Sequence, residues 1–306
     1  MLEVVYATLA TFLLIFVGTA AARSGWLGPP FWAQAEKLIY YLLFPSLLLS
    51  STASANLKSL DLLPMAGAIV ATFAVATMAL LLLKAPLRIG GPAFTSLYQG
   101  VIRMNTYLAF AIGFALAGQP GVESTAIAVA IFVPIANLLC VAVLVRHGTS
   151  EAEGSAFGRT AKAIVTNPLI VSILIGLLLN VSGLGLPPVI GPMLETLGRA
   201  AIALGLLAVG AGLDFRAARA SGGTVLLATV FKLAVMPGLA YGLSRLLGVD
   251  GPALLAVVIL NAMPTSSSAY ILARQLGGDG PLMASIVTVQ TALSMASLPL
   301  VLGLLG

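Results

Sequence analysis

Apolar segments of about 20 residues recur along almost the whole chain, which is the length a helix needs to cross the hydrocarbon core of a bilayer. Short breaks rich in glycine, proline or charge separate these segments. Hydrophobic residues make up 59% of the chain and charged residues only 8%. Soluble domains carry about a quarter charged residues. The sequence therefore predicts an all-α integral membrane protein and excludes a water-soluble globular protein.

Ten such segments are predicted to span the membrane. Their approximate bounds are residues 4–22, 31–50, 62–83, 94–117, 122–145, 168–184, 193–213, 224–246, 252–273 and 281–305. The first begins near the acidic Glu3 and has no cleavage-like site, so we interpret it as a span and not as a signal peptide. The longest polar stretch, residues 146–166, is predicted to be a cytoplasmic linker between two halves, residues 1–145 and 167–306.

Basic residues are concentrated in the loops that follow odd-numbered spans. Those loops hold ten Lys and Arg residues, whereas the even-numbered loops hold only Lys58 and Arg245. Because cytoplasmic loops carry the excess of basic residues, the odd loops are predicted to be cytoplasmic. We expect a multi-pass protein of the inner membrane with both termini in the periplasm. The same bias explains the net charge of +5 without a nucleic-acid partner.

The two halves resemble each other at one constant offset of 159 residues. Matching pairs include Glu36 and Glu195, Met104 and Met263, Thr106 and Thr265, Gly118 and Gly277, and Gly121 and Gly280. Each half has five predicted spans, an odd number, so the second copy should be inverted in the membrane. Inverted five-helix repeats are typical of alternating-access carriers, whose binding site lies near mid-membrane at the repeat interface.

Polar residues lie at the centre of the fourth and ninth spans. The fourth holds Arg103, Asn105, Thr106 and Tyr107, and the ninth holds residues 261–270, Asn-Ala-Met-Pro-Thr-Ser-Ser-Ser-Ala-Tyr. Proline removes a helical hydrogen bond and clashes with the preceding turn, so Pro264 should break the ninth helix. Lipid tolerates broken backbone only where protein or a wet cavity surrounds it. We therefore predict crossed, broken helices 4 and 9 that form a binding site.

This site is predicted to bind an anion. Half-helix N-termini beginning near Asn105 and Thr265 would present backbone N–H groups and positive dipole ends to a carboxylate. The hydroxyls of residues 265–268 are suited to capping the second half-helix. Arg103 adds a full positive charge, and an ionisable residue this deep is a functional candidate. The candidate substrate-binding residues are Arg103, Asn105, Thr106, Tyr107, Asn137, Asn261, Pro264, Thr265, Ser266, Ser267 and Gln290.

Several of these residues also have a structural interpretation. A salt bridge or a clamp on backbone carbonyls would explain Arg103 equally well, and helix–helix hydrogen bonds would explain the Ser/Thr run. Lys232 is a second deep cation that counters a substrate charge, snorkels or pairs with another residue. Glu195 and Arg199 are spaced i, i+4 and are predicted to pair with each other.

Catalysis and metal binding are disfavoured by what the sequence contains. It has one cysteine, Cys140, and one histidine, His147, too few for a zinc site of the usual ligand count. Every Asp and Glu falls near a predicted span end, so mid-membrane has no carboxylate pair for acid–base chemistry or proton coupling. We expect no enzyme, catalytic residue, metal or cofactor. Coupling through the substrate's charge, coupling through Na⁺ held by carbonyls and hydroxyls, and uniport all remain open.

The sequence resembles the auxin efflux carrier family, in its bacterial branch. The resemblance rests on residues 261–270, 273–275, 277–279 and 286–291, on Ser294, and on Arg103-x-Asn105 in the fourth span. It implies two inverted five-helix repeats sorted into a scaffold domain and a transport domain, as in sodium/proton-antiporter-like and bile-acid-symporter-like folds. It also implies carboxylic acid substrates, malonate or malate for bacterial relatives and auxin for plant ones. Plant members carry proline at both breaks, whereas this chain has Asn105 at the first.

Together these features predict a secondary carrier for a small organic anion, working in efflux or uptake by alternating access. The alternative is a sodium-coupled symporter of the bile-acid type with the same fold, which should depend strictly on Na⁺. An integral-membrane enzyme or a receptor fits less well, because the former needs an acid–base pair or metal set and the latter usually adds a soluble output domain. The expected partners are a small carboxylate and the lipid bilayer, with a homodimer left open and no nucleic acid.

Overall fold

The computed structural model describes residues 2–55, 57, 62–149, 167–219 and 222–303. Helices make up 84% of the structure, and no strand occurs in these ranges. The predicted linker lies outside the described residues from position 150 to position 166. The basic residues Lys58, Arg159 and Lys162, which contribute to the predicted orientation, also lie outside them.

The described helices follow one another with short connections. In chain order they are α1 (Leu2–Arg23), α2 (Pro29–Leu38), a π-helical turn (Ile39–Leu43), α3 (Phe44–Ser54), α4 (Leu62–Lys84), α5 (Gly91–Ile102), α6 (Thr106–His147), α7 (Pro168–Val181), α8 (Ile190–Ala211), α9 (Phe215–Arg219), α10 (Gly223–Val230), a second π-helical turn (Phe231–Val235), α11 (Met236–Leu246), α12 (Gly251–Ala262), α13 (Ser268–Gln275) and α14 (Gly280–Gly303).

Each of the ten predicted segments overlaps one helix or a run of consecutive helices. Five runs within the described residues are long and apolar enough to cross a membrane: Leu62–Lys84, Gly91–His147, Ile190–Ala211, Gly223–Leu246 and Gly280–Gly303. These helices indicate a multi-pass membrane protein. Shorter apolar helices include Thr8–Arg23, Pro168–Val181 and Gly251–Ala262. The count of ten crossings and the inverted repeat stay predictions.

Prolines explain the two π-helical turns. Each turn ends directly before a helix whose second residue is a proline, Pro45 in α3 and Pro237 in α11. Because proline has no N–H to donate to the preceding turn, the hydrogen-bond ladder cannot continue regularly there. A π-helical turn accommodates that irregularity inside a continuous helix, and such turns are frequent at functional sites.

A glycine produces the kink that divides α6. Gly118 has φ 61° and ψ −143°, a conformation outside the helical region. A positive φ of this size is readily adopted only by glycine. Its counterpart at the 159-residue offset, Gly277, has φ 72°. The kink falls between the predicted fourth and fifth spans, so α6 contains the end of one and the whole of the other.

The helices pack in two groups. In the first group, α1 packs along α8, and α3 packs along both α7 and α8. In the second, α6 packs on α12, α11 packs on α4 and α12, and α14 packs on α5 and α10. Contacts of α6 with α1, α3 and α8 join the groups. The boundary between them is therefore lined by α6 and the segments next to it.

Candidate functional site

The first interruption of the helices lies between α5 and α6. Helix α5 ends at Ile102, and Arg103 is extended with φ −77° and ψ 161°. Helix α6 begins at Thr106, where the Asn105 side-chain oxygen accepts a hydrogen bond of 3.1 Å from the Leu108 N–H. Asparagine is one of the best N-capping residues because its side chain satisfies a free N–H of the first turn. A cap thus starts the second half-helix without a proline.

The second interruption lies between α12 and α13. Helix α12 ends at Ala262, Met263 is extended with φ −67° and ψ 143°, and α13 begins only at Ser268. The prediction that this half-helix begins near Thr265 is therefore three residues early. Thr265 is drawn away from the helix, because its N–H donates to the Gln290 side-chain oxygen over 2.9 Å and its hydroxyl donates to the Gln99 carbonyl over 3.3 Å.

The predicted hydroxyl cap of the second half-helix is wrong. The N-cap residue is Ser267, which makes no side-chain cap hydrogen bond. The Ser266 and Ser268 hydroxyls instead lie 2.7 Å apart and bond to each other. The N-terminus of α13 therefore lacks the side-chain cap that Asn105 gives α6.

The two interruptions contact each other directly. The Asn105 N–H donates to the Pro264 carbonyl over 2.7 Å, and these two residues are equivalent in the predicted repeat. Behind them, the Gln290 amide nitrogen donates to the carbonyls of Gly100 at 3.0 Å and Ala228 at 3.1 Å. Since the Gln290 oxygen also accepts from Thr265, this buried side chain ties α14 to both interruptions and to α10.

Arg103 carries the positive charge of this region. Its Nη1 donates to the Asn137 side-chain oxygen over 2.7 Å, and its Nη2 donates to the Ser268 hydroxyl over 3.0 Å. Both partners are neutral. Within the described ranges the ion pairs are Arg199 with Glu195 at 3.7 Å, as predicted, and Arg245 with Asp250. In that part of the chain the guanidinium has no carboxylate partner, and it clamps side chains instead of backbone carbonyls.

A cavity of about 560 Å³ lies between the two helix groups. The interruptions, α6 and α13 form one side, and α2, the first π-helical turn, α7 and α8 form the other. Seven predicted substrate-binding residues line it: Arg103, Asn105, Thr106, Tyr107, Asn137, Ser266 and Ser267. The structure thus brings an unpaired cation, two side-chain amides and hydroxyl groups to one concave surface, which is a chemistry suited to a carboxylate.

Residues 157–302 match the family model described as membrane transport protein. The match supports this family for the chain. The matched family is the auxin efflux carrier family, which the sequence resembles. The match suggests a membrane transporter. The matched segment includes the second interruption and residues 280–302 of α14, and it begins after the first interruption. Comparison with curated proteins finds no match.

Four predicted site residues do not line the cavity: Asn261, Pro264, Thr265 and Gln290. Pro264, Thr265 and Gln290 hold the interruptions together through the hydrogen bonds described above. The Asn261 amide nitrogen donates to the Val257 carbonyl over 2.9 Å, so this side chain packs within its own helix. These residues support the site from behind and are not placed to contact a molecule in the cavity.

The cavity also contains residues that sequence reasoning did not assign to it. Glu36, Lys37, Tyr40 and Tyr41 from α2 and the first π-helical turn line it, and so does Asn167 before α7. A signal for four of them exists in the sequence. Two polar residues are followed four positions later by two tyrosines, so in a helix they share one face. A helix face with two charged residues and two tyrosines is more polar than the apolar face that a span presents to lipid, so it indicates contact with a polar cavity.

Proposed function

We propose that this protein is a secondary carrier that moves a small organic anion, a carboxylate such as malonate, malate or an auxin-like acid, across the inner membrane. The carboxylate binds in the cavity between the two helix interruptions. The observation that carries this proposal is the position of Arg103, which faces the cavity with two neutral partners and no carboxylate partner among the described residues. A bound anion would neutralise a charge that is costly to leave uncompensated inside a membrane.

The packing of the helices supports alternating access. In the predicted repeat, the first span corresponds to the sixth and the second span to the seventh. The packing of α1 (first span) on α8 (seventh span) therefore corresponds to the packing of α7 (sixth span) on α3 (second span), and the structure contains both. Gly118 and Gly277, which are equivalent in the predicted repeat, both have a positive φ, 61° and 72°. Carriers of this kind move one helix group against the other around a site at their boundary. The cavity lies at such a boundary.

The rim of the cavity suggests which side it faces. Lys37, Asn167 and Ile271 line it, and each lies near an odd-numbered loop. In the predicted orientation those loops are cytoplasmic. We therefore propose that the described state is open to the cytoplasm and that both termini are periplasmic.

The alternative function, sodium-coupled symport, needs an oxygen-lined site for Na⁺. Buried oxygens without partners among the described residues do occur behind the interruptions, on Gln99, Asn261 and Thr291. However, the second π-helical turn packs against the same helices, α5, α12 and α14, and it carries Lys232. That side chain is fully buried, and its amine has no partner within the described ranges. When this amine is protonated, its positive charge lies among the same helices and disfavours Na⁺ there.

Uptake into proteoliposomes tests the proposal. Labelled malonate, malate, other short carboxylates and indole acetate are compared with and without Na⁺ or pH gradients. We expect at least one carboxylate to be taken up without Na⁺, and Arg103→Gln to lower its uptake by about tenfold or more, the value of one charge-assisted hydrogen bond. The exposed Arg199→Gln is the matched control and should transport like the parent. Equal uptake by Arg103→Gln and the parent would refute the assignment of the site.

A further inference from the structure

We propose that the wall of the cavity formed by α2 and the first π-helical turn is a subsite for an ammonium group, so that the preferred substrates are zwitterions of the amino-acid class. This inference rests on the proposed function, because it takes the Arg103 side of the cavity as the carboxylate site. It departs from that proposal in placing amino acids ahead of dicarboxylates such as malonate and malate. The ammonium subsite is defined here as Glu36, Tyr40, Tyr41 and Tyr107, all of which line the cavity.

Glu36 supplies the negative charge of the ammonium subsite. It lies in α2, which belongs to the helix group across the cavity from Arg103. Neither ion pair of the described residues includes it. A carboxylate in a cavity with largely apolar and aromatic walls loses part of its hydration, which a ligand cation would compensate. Among the described residues, the cavity therefore holds the Glu36 carboxylate on one side and the Arg103 guanidinium on the other, each without an ion-pair partner.

The three tyrosines add aromatic surface beside that carboxylate. The Tyr40 and Tyr41 rings meet edge to face with centroids 4.9 Å apart, and the Tyr107 ring meets Phe44 of α3 in the same way at 4.9 Å. Tyr40 lies one helical turn after Glu36, and all three rings line the cavity with that carboxylate. Aromatic faces attract ammonium groups, and several together form the cages that recognise amine ligands.

The helix geometry explains why these side chains converge. Glu36 and Tyr40 are four residues apart, and α-helical residues at that spacing lie on one face. The π-helical turn begins at Ile39 and contains Tyr40 and Tyr41. Both tyrosines line the cavity although they are adjacent in sequence.

Lys37 is the nearest competitor for the Glu36 charge. It also lines the cavity, but no ion pair joins it to Glu36. Neighbouring residues on a helix do not face each other. We therefore treat Glu36 as available to a ligand. The matched control is Gln34, an exposed polar residue of α2 that does not line the cavity.

The pairing of charges determines the class of substrate. A dicarboxylate would bring its second carboxylate toward Glu36, where like charges repel. A monocarboxylate would leave Glu36 without a cation. An amino acid satisfies Arg103 with its carboxylate and Glu36 with its ammonium group. The volume of about 560 Å³ leaves room for a side chain as well.

Matched compounds test this inference in proteoliposomes. One set is phenylalanine, 3-phenylpropionate and benzylmalonate, which carry an ammonium group, a hydrogen or a second carboxylate at the same carbon. A shorter set is 4-aminobutyrate, butyrate and glutarate. Each labelled compound is offered to the parent and to Glu36→Gln, Gln34→Leu and Arg103→Gln. We expect the parent to prefer the amino acid within at least one set by on the order of tenfold.

Glu36→Gln should lower uptake of the amino acid by about tenfold while uptake of the compound without an amine stays near the parental rate. That retained uptake also shows that the variant is folded. Gln34→Leu should leave the preference unchanged, because this residue lies outside the cavity. Preference for the compound without an amine, or an unchanged preference in Glu36→Gln, would overturn the subsite and leave the carboxylate site intact. If Arg103→Gln takes up every compound like the parent, or no compound enters, the proposed function fails as well.

Discussion

The two helix interruptions occupy equivalent positions in the predicted repeat but are built from different chemistry. The first has no proline and is organised by Asn105, whose side chain caps α6. The second contains Pro264, begins its half-helix late and has no side-chain cap. In the first, a cation and an amide face the cavity; in the second, serine hydroxyls face it. An interruption of a membrane helix can thus be produced either by an N-capping side chain or by a proline, which has no backbone N–H to donate.

Because of this difference, the two interruptions have different roles in the site. The first interruption places Arg103 beside the cavity and satisfies its own first turn. The second relies on a distant residue, Gln290, to anchor Thr265. The backbone bond from Asn105 to Pro264 couples them. We infer that the first segment sets the charge of the site and that the second depends on α14 for its shape.

The largest effect is expected at the anchor of the second interruption. Gln290→Leu would leave the Gly100 carbonyl and the buried Thr265 N–H without the side chain that pairs with both. Each unsatisfied group costs about 1–3 kcal/mol, so the free energy of unfolding should fall by about 2 kcal/mol or more. Thermal unfolding of the purified protein in detergent measures it. The exposed Gln34→Leu is the control, and an equal midpoint for both variants would argue against the anchor.

A smaller loss of stability is expected when the cap at Asn105 or the proline at position 264 is replaced, and the two losses should differ. Asn105→Ala removes the cap of α6 and should cost about 1 kcal/mol, whereas Asn105→Ser keeps a capping oxygen and should cost less. Pro264→Ala retains the carbonyl that accepts from Asn105, so its cost should be below that of Asn105→Ala. The same unfolding measurement applies to all three variants. The comparison of the two segments would be wrong if Pro264→Ala were the more destabilising change.

The smallest effect is expected for the hydroxyl that links the two segments. Ser268→Ala removes one neutral acceptor of Arg103 and leaves Asn137 in place. Because Ser268 is exposed, water can take over the lost bond. We expect uptake of a transported carboxylate to change by about twofold, the low end of a single hydrogen bond. Ser182→Ala, at an exposed position at the end of another helix, is the control and should take up the carboxylate like the parent. A loss of uptake in Ser268→Ala well above twofold would mean that Ser268 contacts the substrate directly.

Local signals in the sequence predicted one part of this site and missed another. Pro264 and the polar residues at 103–107 stand out because a membrane segment has little reason to contain them, and Arg103, Asn105 and Asn137 do meet at the cavity. The late start of α13 was missed because it depends on Gln290, 25 residues away from Thr265. Glu36 and the tyrosines were missed because their role appears only when α2 is packed against the other helix group.

Labelling of one engineered cysteine tests most directly whether a carboxylate binds between the two interruptions. Ser267 lines the cavity, and the native Cys140 is buried, so Ser267→Cys in a Cys140→Ala background places one reactive thiol at the site. A polar thiol reagent should label it in detergent, and the carboxylate that the vesicles take up should slow this labelling severalfold. Ser182→Cys should be labelled at the same rate with and without the carboxylate. Labelling of Ser267→Cys that a saturating carboxylate does not slow would contradict binding at this place.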